Sequence, residues 1–172
     1  VFKDGFANLK GPTLFLDIDQ IIVGKMDDFF DFKSGEFCII RNWLELRKRI
    51  LRGLPEIGIS SCFRFVAGKM NYVYEKFVAE MDIAVQQKFF RTEQAFMTHA
   101  VGLKNVNWWP NAWVQSFKRS CMRIFPFNLF MQPKQAKNAK ILCFHGRPTP
   151  DDAVNGYKGK HLNTWVKPCL WV

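Results

Sequence analysis

The stretch from Leu14 to Gly24, LFLDIDQIIVG, constrains the fold most, because two apolar runs flank a pair of carboxylates. Its β-branched and aromatic residues predict a buried strand of a parallel sheet. Side chains alternate along a strand, so Asp17 and Asp19 would point to one face and Ile18 to the other. Two buried carboxylates repel each other unless a divalent cation lies between them. The alternative is a turn that carries two solvated aspartates.

Composition indicates a single globular domain over residues 1–172, since 48% of the residues are hydrophobic and 16% are aromatic. No apolar run approaches the length of a membrane span, and no signal peptide is visible. The five cysteines are odd in number and never form C-x-x-C, which argues against a zinc site or a disulfide framework. We therefore expect reduced thiols and a cytoplasmic protein.

The net charge of +10 indicates an anionic partner, and nucleic acid, an anionic membrane and phosphate-bearing small molecules are the candidates. Residues 42–54 carry an apolar stripe at helical spacing, surrounded by Arg and Lys. This basic stretch could lie on a membrane surface, or it could be a surface helix with a solvated face.

Local patterns predict strands at 37–40 and 140–144, and a small-residue turn that runs into a strand over 58–65. Helices are predicted at 71–85, with Val73, Phe77 and Met81 inward, and at 93–101, capped by Thr92. A short helical turn follows Gly24, and proline marks an aromatic loop at 106–113.

Strands that alternate with helices indicate an α/β fold with a mostly parallel sheet flanked by helices. Ligands gather at the carboxyl ends of the strands in such sheets. Asp17, Asp19 and His145 all fall at predicted strand ends, which is where we expect a site.

Four motifs resemble those of GT-A fold glycosyltransferases with an aspartate-any-aspartate motif, nearest to the family-8-like and related bacterial transferases of polysaccharide and lipopolysaccharide synthesis. The first motif, residues 11–19 with 24–30, resembles the metal strand and the segment after it, and the second, residues 59–68, resembles the small-residue segment that faces the donor sugar. The third, Glu93-Gln94, resembles an Asp-Gln pair that opens a helix. The fourth, residues 144–150 (FHGRPTP), resembles the late histidine-glycine motif.

The resemblance implies a metal-dependent transferase that uses a nucleotide-diphosphate sugar and a saccharide or lipid-linked acceptor. It implies that Asp17, Asp19 and His145 bind Mn²⁺ or Mg²⁺, which stabilises the departing diphosphate. Arg147 would clamp a phosphate oxygen and Gly146 would lie beside the donor. Ser60, Ser61 and Gln94 would bind sugar hydroxyls, and Glu93 and Gln94 are the catalytic candidates.

The resemblance also implies what surrounds the site. Three tryptophans could stack on an acceptor sugar: Trp108, Trp109 and Trp113. The metal strand begins at residue 14, so the nucleotide-binding part of the fold is missing, and we expect a fragment or a shortened relative. A transferase of this kind would work in the cytosol, in peripheral contact with the anionic inner membrane face.

Other interpretations stay open. His145 could be structural, the tryptophans could anchor the core or the loops, and Glu93-Gln94 could simply begin a helix. A haloacid-dehalogenase-like phosphatase would use Asp17 as its nucleophile, with Asp151-Asp152 as a late acidic pair. A basic module without catalysis would bind nucleic acid or a membrane. Because no RNP, KH or zinc-finger signature appears, we expect no nucleic-acid partner.

Overall fold

The computed structural model describes residues 1–42, 50, 51, 53, 56–86, 92–169 and 171. Its strands are β1 (Gly11–Leu16), β2 (Gln20–Ile22), β3 (Cys38–Arg41), β4 (Gly58–Ala67), β5 (Asn107–Trp108), β6 (Val114–Ser116) and β7 (Ile141–Cys143). Its α-helices are α1 (Asp28–Asp31), α2 (Asn71–Gln86), α3 (Glu93–Val101) and α4 (Pro150–Asn155).

The chain divides into two compact units. Unit 1 comprises Val1–Leu16 and Asp27–Trp109, and unit 2 comprises Asp17–Met26 and Pro110–Val172. Each unit has a sheet and a hydrophobic cluster of its own. The protein is therefore of mixed α/β class.

Unit 1 is built on a four-stranded sheet in the order β1-β4-β3-β5. The strand β4 pairs antiparallel with β1 and β3, and β3 pairs parallel with β5. Phenylalanines fill its core, and the ring of Phe63 lies 4.8 Å from that of Phe15. The hydroxyl of Thr98 on α3 accepts a hydrogen bond of 2.9 Å from Gly58 N, which fixes this helix against β4.

In unit 1, a buried arginine binds α1 and the loop that follows it. The Arg64 side chain is 0% exposed and donates to the carbonyl oxygens of Phe32 (2.6 Å) and Glu36 (3.0 Å). It donates also to the carbonyls of Phe29, Phe30 and Lys33. One side chain thus satisfies carbonyl oxygens of α1 and of the loop after it, as buried carbonyls require.

Unit 2 is built on a three-stranded sheet in the order β2-β7-β6. The strand β7 pairs antiparallel with β2 and parallel with β6. Phe117 and Phe144 stack with ring centroids 4.5 Å apart and belong to the apolar cluster of this unit. Thr149 and Asp152 form a capping box at the start of α4, in a region where no helix is predicted.

Several predicted elements are confirmed: β3, β7, the turn α1, the helix α2, and α3 with Thr92 as its cap. All of residues 58–65 belong to β4, so no turn precedes this strand within that range, and β6 lies outside every predicted element. On α2, Val73 is buried, whereas Phe77 and Met81 are exposed. The basic stretch 42–54 lies almost wholly outside the described residues.

The prediction of a mostly parallel sheet is wrong. Both observed sheets are mixed, and in the described part of the chain three strand pairs are antiparallel while two are parallel. Alternating helices and strands favour parallel order only where each helix crosses over between neighbouring strands. Here α2 and α3 follow β4 and lead to β5, which pairs with β3.

Candidate functional site

The two aspartates of the opening motif lie on a turn and not on one strand. β1 ends at Leu16, the chain turns through Ile18 and Asp19, and β2 begins at Gln20 in the other sheet. The side chain of Ile18 is 102% exposed, Asp17 is exposed and Asp19 is half-buried. The predicted single buried strand is thus wrong, because the chain leaves the first sheet at the aspartates.

The turn brings Asp19 beside His145, although 126 positions separate them in the sequence. Gln20 is paired with Cys143, and Phe144 N donates to Asp19 O at 2.9 Å. The negative charge of Asp19 acts on the histidine ring. Two of the three predicted metal ligands, Asp19 and His145, therefore lie at the same end of the three-stranded sheet of unit 2.

The neighbouring strand β6 adds polar groups to this sheet end. Ser116, at the end of β6, is buried, and its Oγ lies 2.6 Å from Nε2 of His145 in a hydrogen bond. Arg119 N also donates to this oxygen, at 3.4 Å. Lys118 Nζ donates to His145 O at 2.7 Å. The sequence holds no pattern that pairs Ser116 with a histidine far downstream, so sequence reasoning missed these residues.

The surroundings favour a neutral imidazole at His145. Burial lowers its pKa, and the positive charges of Lys118 and Arg119 lower it further, against the opposing effect of Asp19. Burial and the two cations thus favour the uncharged form of the ring. A neutral imidazole beside a carboxylate is a combination that Mn²⁺ and related divalent cations accept.

The protein side chains do not by themselves form a closed metal cage. Within the described ranges, no group of three or more His, Cys, Asp and Glu side chains is placed to hold a metal ion. Mg²⁺ and similar hard cations are commonly held by one or two carboxylates together with substrate phosphates. A cation at Asp19 and His145 would therefore need further ligands from a bound substrate.

The residues after His145 take specific positions. Gly146 has a φ of +66°, a backbone conformation that residues with a side chain rarely adopt, so glycine suits this position. Arg147 makes an ion pair of 2.7 Å with Asp152, and its guanidinium lies 5.6 Å from the Tyr157 ring. The predicted phosphate contact of Arg147 would use N–H groups other than the one that binds Asp152.

The predicted sugar-binding residues lie in unit 1. Ser60 on β4 donates to Glu93 Oε1 at the start of α3 over 2.8 Å, so the structure brings together two residues of separate motifs. Gln94 is half-buried, and its carbonyl oxygen accepts a hydrogen bond from Thr98 Oγ1 at 2.8 Å. Ser61 is half-buried on the same strand as Ser60.

The three tryptophans differ in their surroundings. Trp109 is buried, donates to Cys62 O at 3.3 Å and packs against Phe29, so it is a core anchor and not an acceptor platform. Trp108 and Trp113 are half-buried, and each carries a cation over its ring, from Arg41 at 5.3 Å and from Lys140 at 5.0 Å.

No protein-family model, curated protein or solved structure matches this chain. No helix in the described part of the chain is both long enough and apolar enough to cross a membrane. The resemblance drawn from the motifs therefore stays a prediction, and the function has to be argued from the groups at the sheet end.

Proposed function

We propose that this protein is a metal-dependent glycosyltransferase of GT-A type that moves a sugar from a nucleotide-diphosphate donor to a saccharide or lipid-linked acceptor. The observation that supports the proposal is that Asp19 and His145 lie at one sheet end, with Lys118 and Arg119 close to the histidine. A carboxylate and an imidazole suit a divalent cation, and the two cationic side chains suit the diphosphate that accompanies it.

In this proposal Asp17, Asp19 and His145 hold Mn²⁺ or Mg²⁺. The cation would stabilise the negative charge that grows on the diphosphate as the glycosidic bond breaks. Ser116 holds the imidazole in place through its bond to Nε2. A cation bound by His145 would take the lone pair of Nδ1, because Nε2 is engaged with Ser116.

The unit 1 residues have a separate part in the proposal. The bond from Ser60 to Glu93 fixes a carboxylate at the start of α3, next to Gln94. Such a set of hydroxyl, carboxylate and amide groups suits the hydroxyls of a sugar, with Ser61 on the same strand as a further contact. Gly146 and Arg147, in unit 2, are proposed separately as donor contacts. The enzyme would act in the cytosol at the inner membrane face.

The phosphatase alternative finds less support. Of the late acidic pair, Asp152 is engaged in the capping box of α4 and in the ion pair with Arg147.

The test measures hydrolysis and transfer of a panel of nucleotide sugars with added Mn²⁺. We expect Asp19→Ala and His145→Ala to lower the metal-dependent rate by more than about 100-fold, and Ser116→Ala to weaken Mn²⁺ binding by about 10- to 100-fold, as loss of a partner that orients a ligand does. Asp17→Ala should also lower the rate.

Matched controls are Asp31→Ala and His161→Ala, which remove an exposed carboxylate and an exposed imidazole elsewhere. Equal activity in the Asp17, Asp19 and His145 variants would end the proposal. Mg²⁺-dependent hydrolysis of an aryl phosphate that is lost in Asp17→Ala would favour the phosphatase. Salt-sensitive binding of nucleic acid that survives Asp17→Ala would favour a binding module.

A further inference from the structure

Residues 121–134 of unit 2 form a closed surface loop. Lys134 N donates to Cys121 O at 2.9 Å, so the two ends of the loop lie side by side. Arg123 Nε donates to Gln132 O at 3.1 Å, one step further into the loop. Compact loops whose ends meet in this way are Ω-loops, and they are frequently functional.

A buried asparagine holds this Ω-loop from its centre. Asn128 donates from Nδ2 to Leu162 O at 2.7 Å and to Trp165 O at 3.0 Å, and its side chain is 3% exposed. Met131 N donates to Phe127 O at 2.9 Å within the loop. These bonds fix which side chains face inward and which face the solvent.

The side chains that face the solvent are large and apolar. Ile124 is 78% exposed, Phe130 is 79% exposed and Phe127 is 56% exposed. Phe125 and Met131 of the same loop are exposed as well. Single exposed apolar side chains are common on protein surfaces and need no explanation. Five of them within eight positions are unusual, and such a group is typical of an interaction site.

The charge around the Ω-loop indicates what the patch meets. Between Pro110 and Pro150 the chain has seven Lys and Arg residues and no Asp or Glu. Arg123 and Lys134 lie at the neck of the loop, where its ends meet. Apolar side chains at a tip with cations behind them match the interface of an anionic bilayer, where rings enter the acyl boundary and cations stay at the headgroups.

We infer that the Ω-loop of residues 121–134 is a membrane-docking element that inserts its apolar tip into the surface of an anionic lipid bilayer. A bilayer interface takes rings of any arrangement, whereas a protein partner would need a matching pocket for each one. The inference goes beyond sugar transfer and does not depend on it, since binding needs neither the metal nor the donor.

The test is co-sedimentation of the full chain with vesicles of phosphatidylcholine alone or mixed equally with phosphatidylglycerol. We expect binding to the mixed vesicles only, about tenfold or more weaker in Phe127→Ser/Phe130→Ser and retained in Phe127→Leu/Phe130→Leu. Lys134→Gln/Lys137→Gln should weaken binding by about fivefold for each cation removed at the surface.

The control variants in unit 1 are Val78→Ser/Leu103→Ser, which changes two exposed apolar residues, and Lys69→Gln/Lys104→Gln, which changes two exposed lysines. Both should leave vesicle binding unchanged. Thermal melting confirms that each variant is folded. Wild-type binding by the Phe127→Ser/Phe130→Ser protein, or equal binding to both vesicle types, would overturn the inference. A third result would also overturn it: the wild type forms a concentration-dependent dimer and does not bind vesicles, and the serine variant stays monomeric. The loop would then join two copies of the chain.

Discussion

Unit 1 and unit 2 differ in charge and in what holds their irregular segments. Unit 1 contains 14 Lys and Arg against 11 Asp and Glu, whereas unit 2 contains 11 against 4. Most of the net positive charge of the protein therefore belongs to its smaller unit. The metal-ligand candidates, Lys118 and the Ω-loop lie there too, so an anionic partner is more readily matched to unit 2 than to the chain as a whole.

The two units nevertheless solve one problem alike, that of loop carbonyls which must stay satisfied away from water. Unit 1 uses the buried guanidinium of Arg64, which serves the loop after α1. Unit 2 uses the amide of Asn128, which serves the segment around Leu162 and Trp165. A charged fork has more donors than an amide, so the anchor of unit 1 should contribute more to stability.

The largest expected effect is that of Arg64→Ala. It leaves the carbonyls of Phe29, Phe32 and Glu36 without their donor, and we expect the free energy of unfolding to fall by at least about 4 kcal/mol in urea titrations. Arg41→Ala is the matched control, since it removes an exposed ion pair of 3.2 Å with Glu56 and should cost less than about 1 kcal/mol. Similar losses in the two variants would contradict the role given to Arg64.

Substitution of Asn128 should have the second-largest effect on the free energy of unfolding, and Ala and Asp at this position should differ in their effect. Asn128→Ala removes two hydrogen bonds to carbonyls and should lower the free energy of unfolding by about 2 kcal/mol. Asn128→Asp should lower it more, because a buried carboxylate would face two carbonyl oxygens. Denaturation of both variants is compared with that of Asn163→Ala, an exposed asparagine of the same unit. A stable Asp variant would show that the side-chain amide is not the anchor.

A smaller, pH-dependent effect is expected for the capping box of α4. Burial raises the pKa of the Asp152 carboxyl, but hydrogen bonds from Thr149 and the charge and hydrogen bond of Arg147 outweigh it, and the pKa lies below its ordinary 3.8. The contribution of Asp152 is thus present at neutral pH and is lost as the pH falls through this lowered pKa.

Asp152→Ala should therefore lower the free energy of unfolding by about 1 kcal/mol at pH 7, with the difference from wild type shrinking in acid. Thermal melts at pH 7 and near pH 3 measure it. The neighbouring exposed residue serves as control, and Asp151→Ala should cost only a few tenths of a kcal/mol, about what a charge near a helix N-terminus contributes. A difference that stays constant with pH would refute the capping role.

The smallest expected difference between the units is in the rate at which their buried thiols react. Burial raises the pKa of Cys38 in unit 1 and of Cys121 in unit 2 to about 11, and all five cysteines are buried. At pH 8 these two thiols should react slowly with a disulfide reagent and quickly once urea unfolds the chain. Fast labelling of Cys38 or Cys121 in the native protein would show that its unit opens readily.

Elements with a strong local pattern were predictable. Thr92 caps α3 because its hydroxyl accepts from Ala95 N at 3.4 Å, a bond that depends on residues three apart. The apolar runs of β3 and β7 likewise form strands. Partners across the chain were not predictable in this way: the antiparallel pairing of β1 with β4 and the bond between Ser116 and His145 depend on how distant segments meet.

The candidate site shows the same division. Residue types and their order singled out Asp17, Asp19 and His145, since carboxylates beside an apolar run and a histidine before glycine are readable in one dimension. That Asp19 meets His145, while Ser116 and Lys118 join them, was decided by the pairing of β2 and β6 with β7. Hydrogen-bond pairing between strands is set by the whole packed chain, and a linear sequence states which side chains are available but not which of them become neighbours.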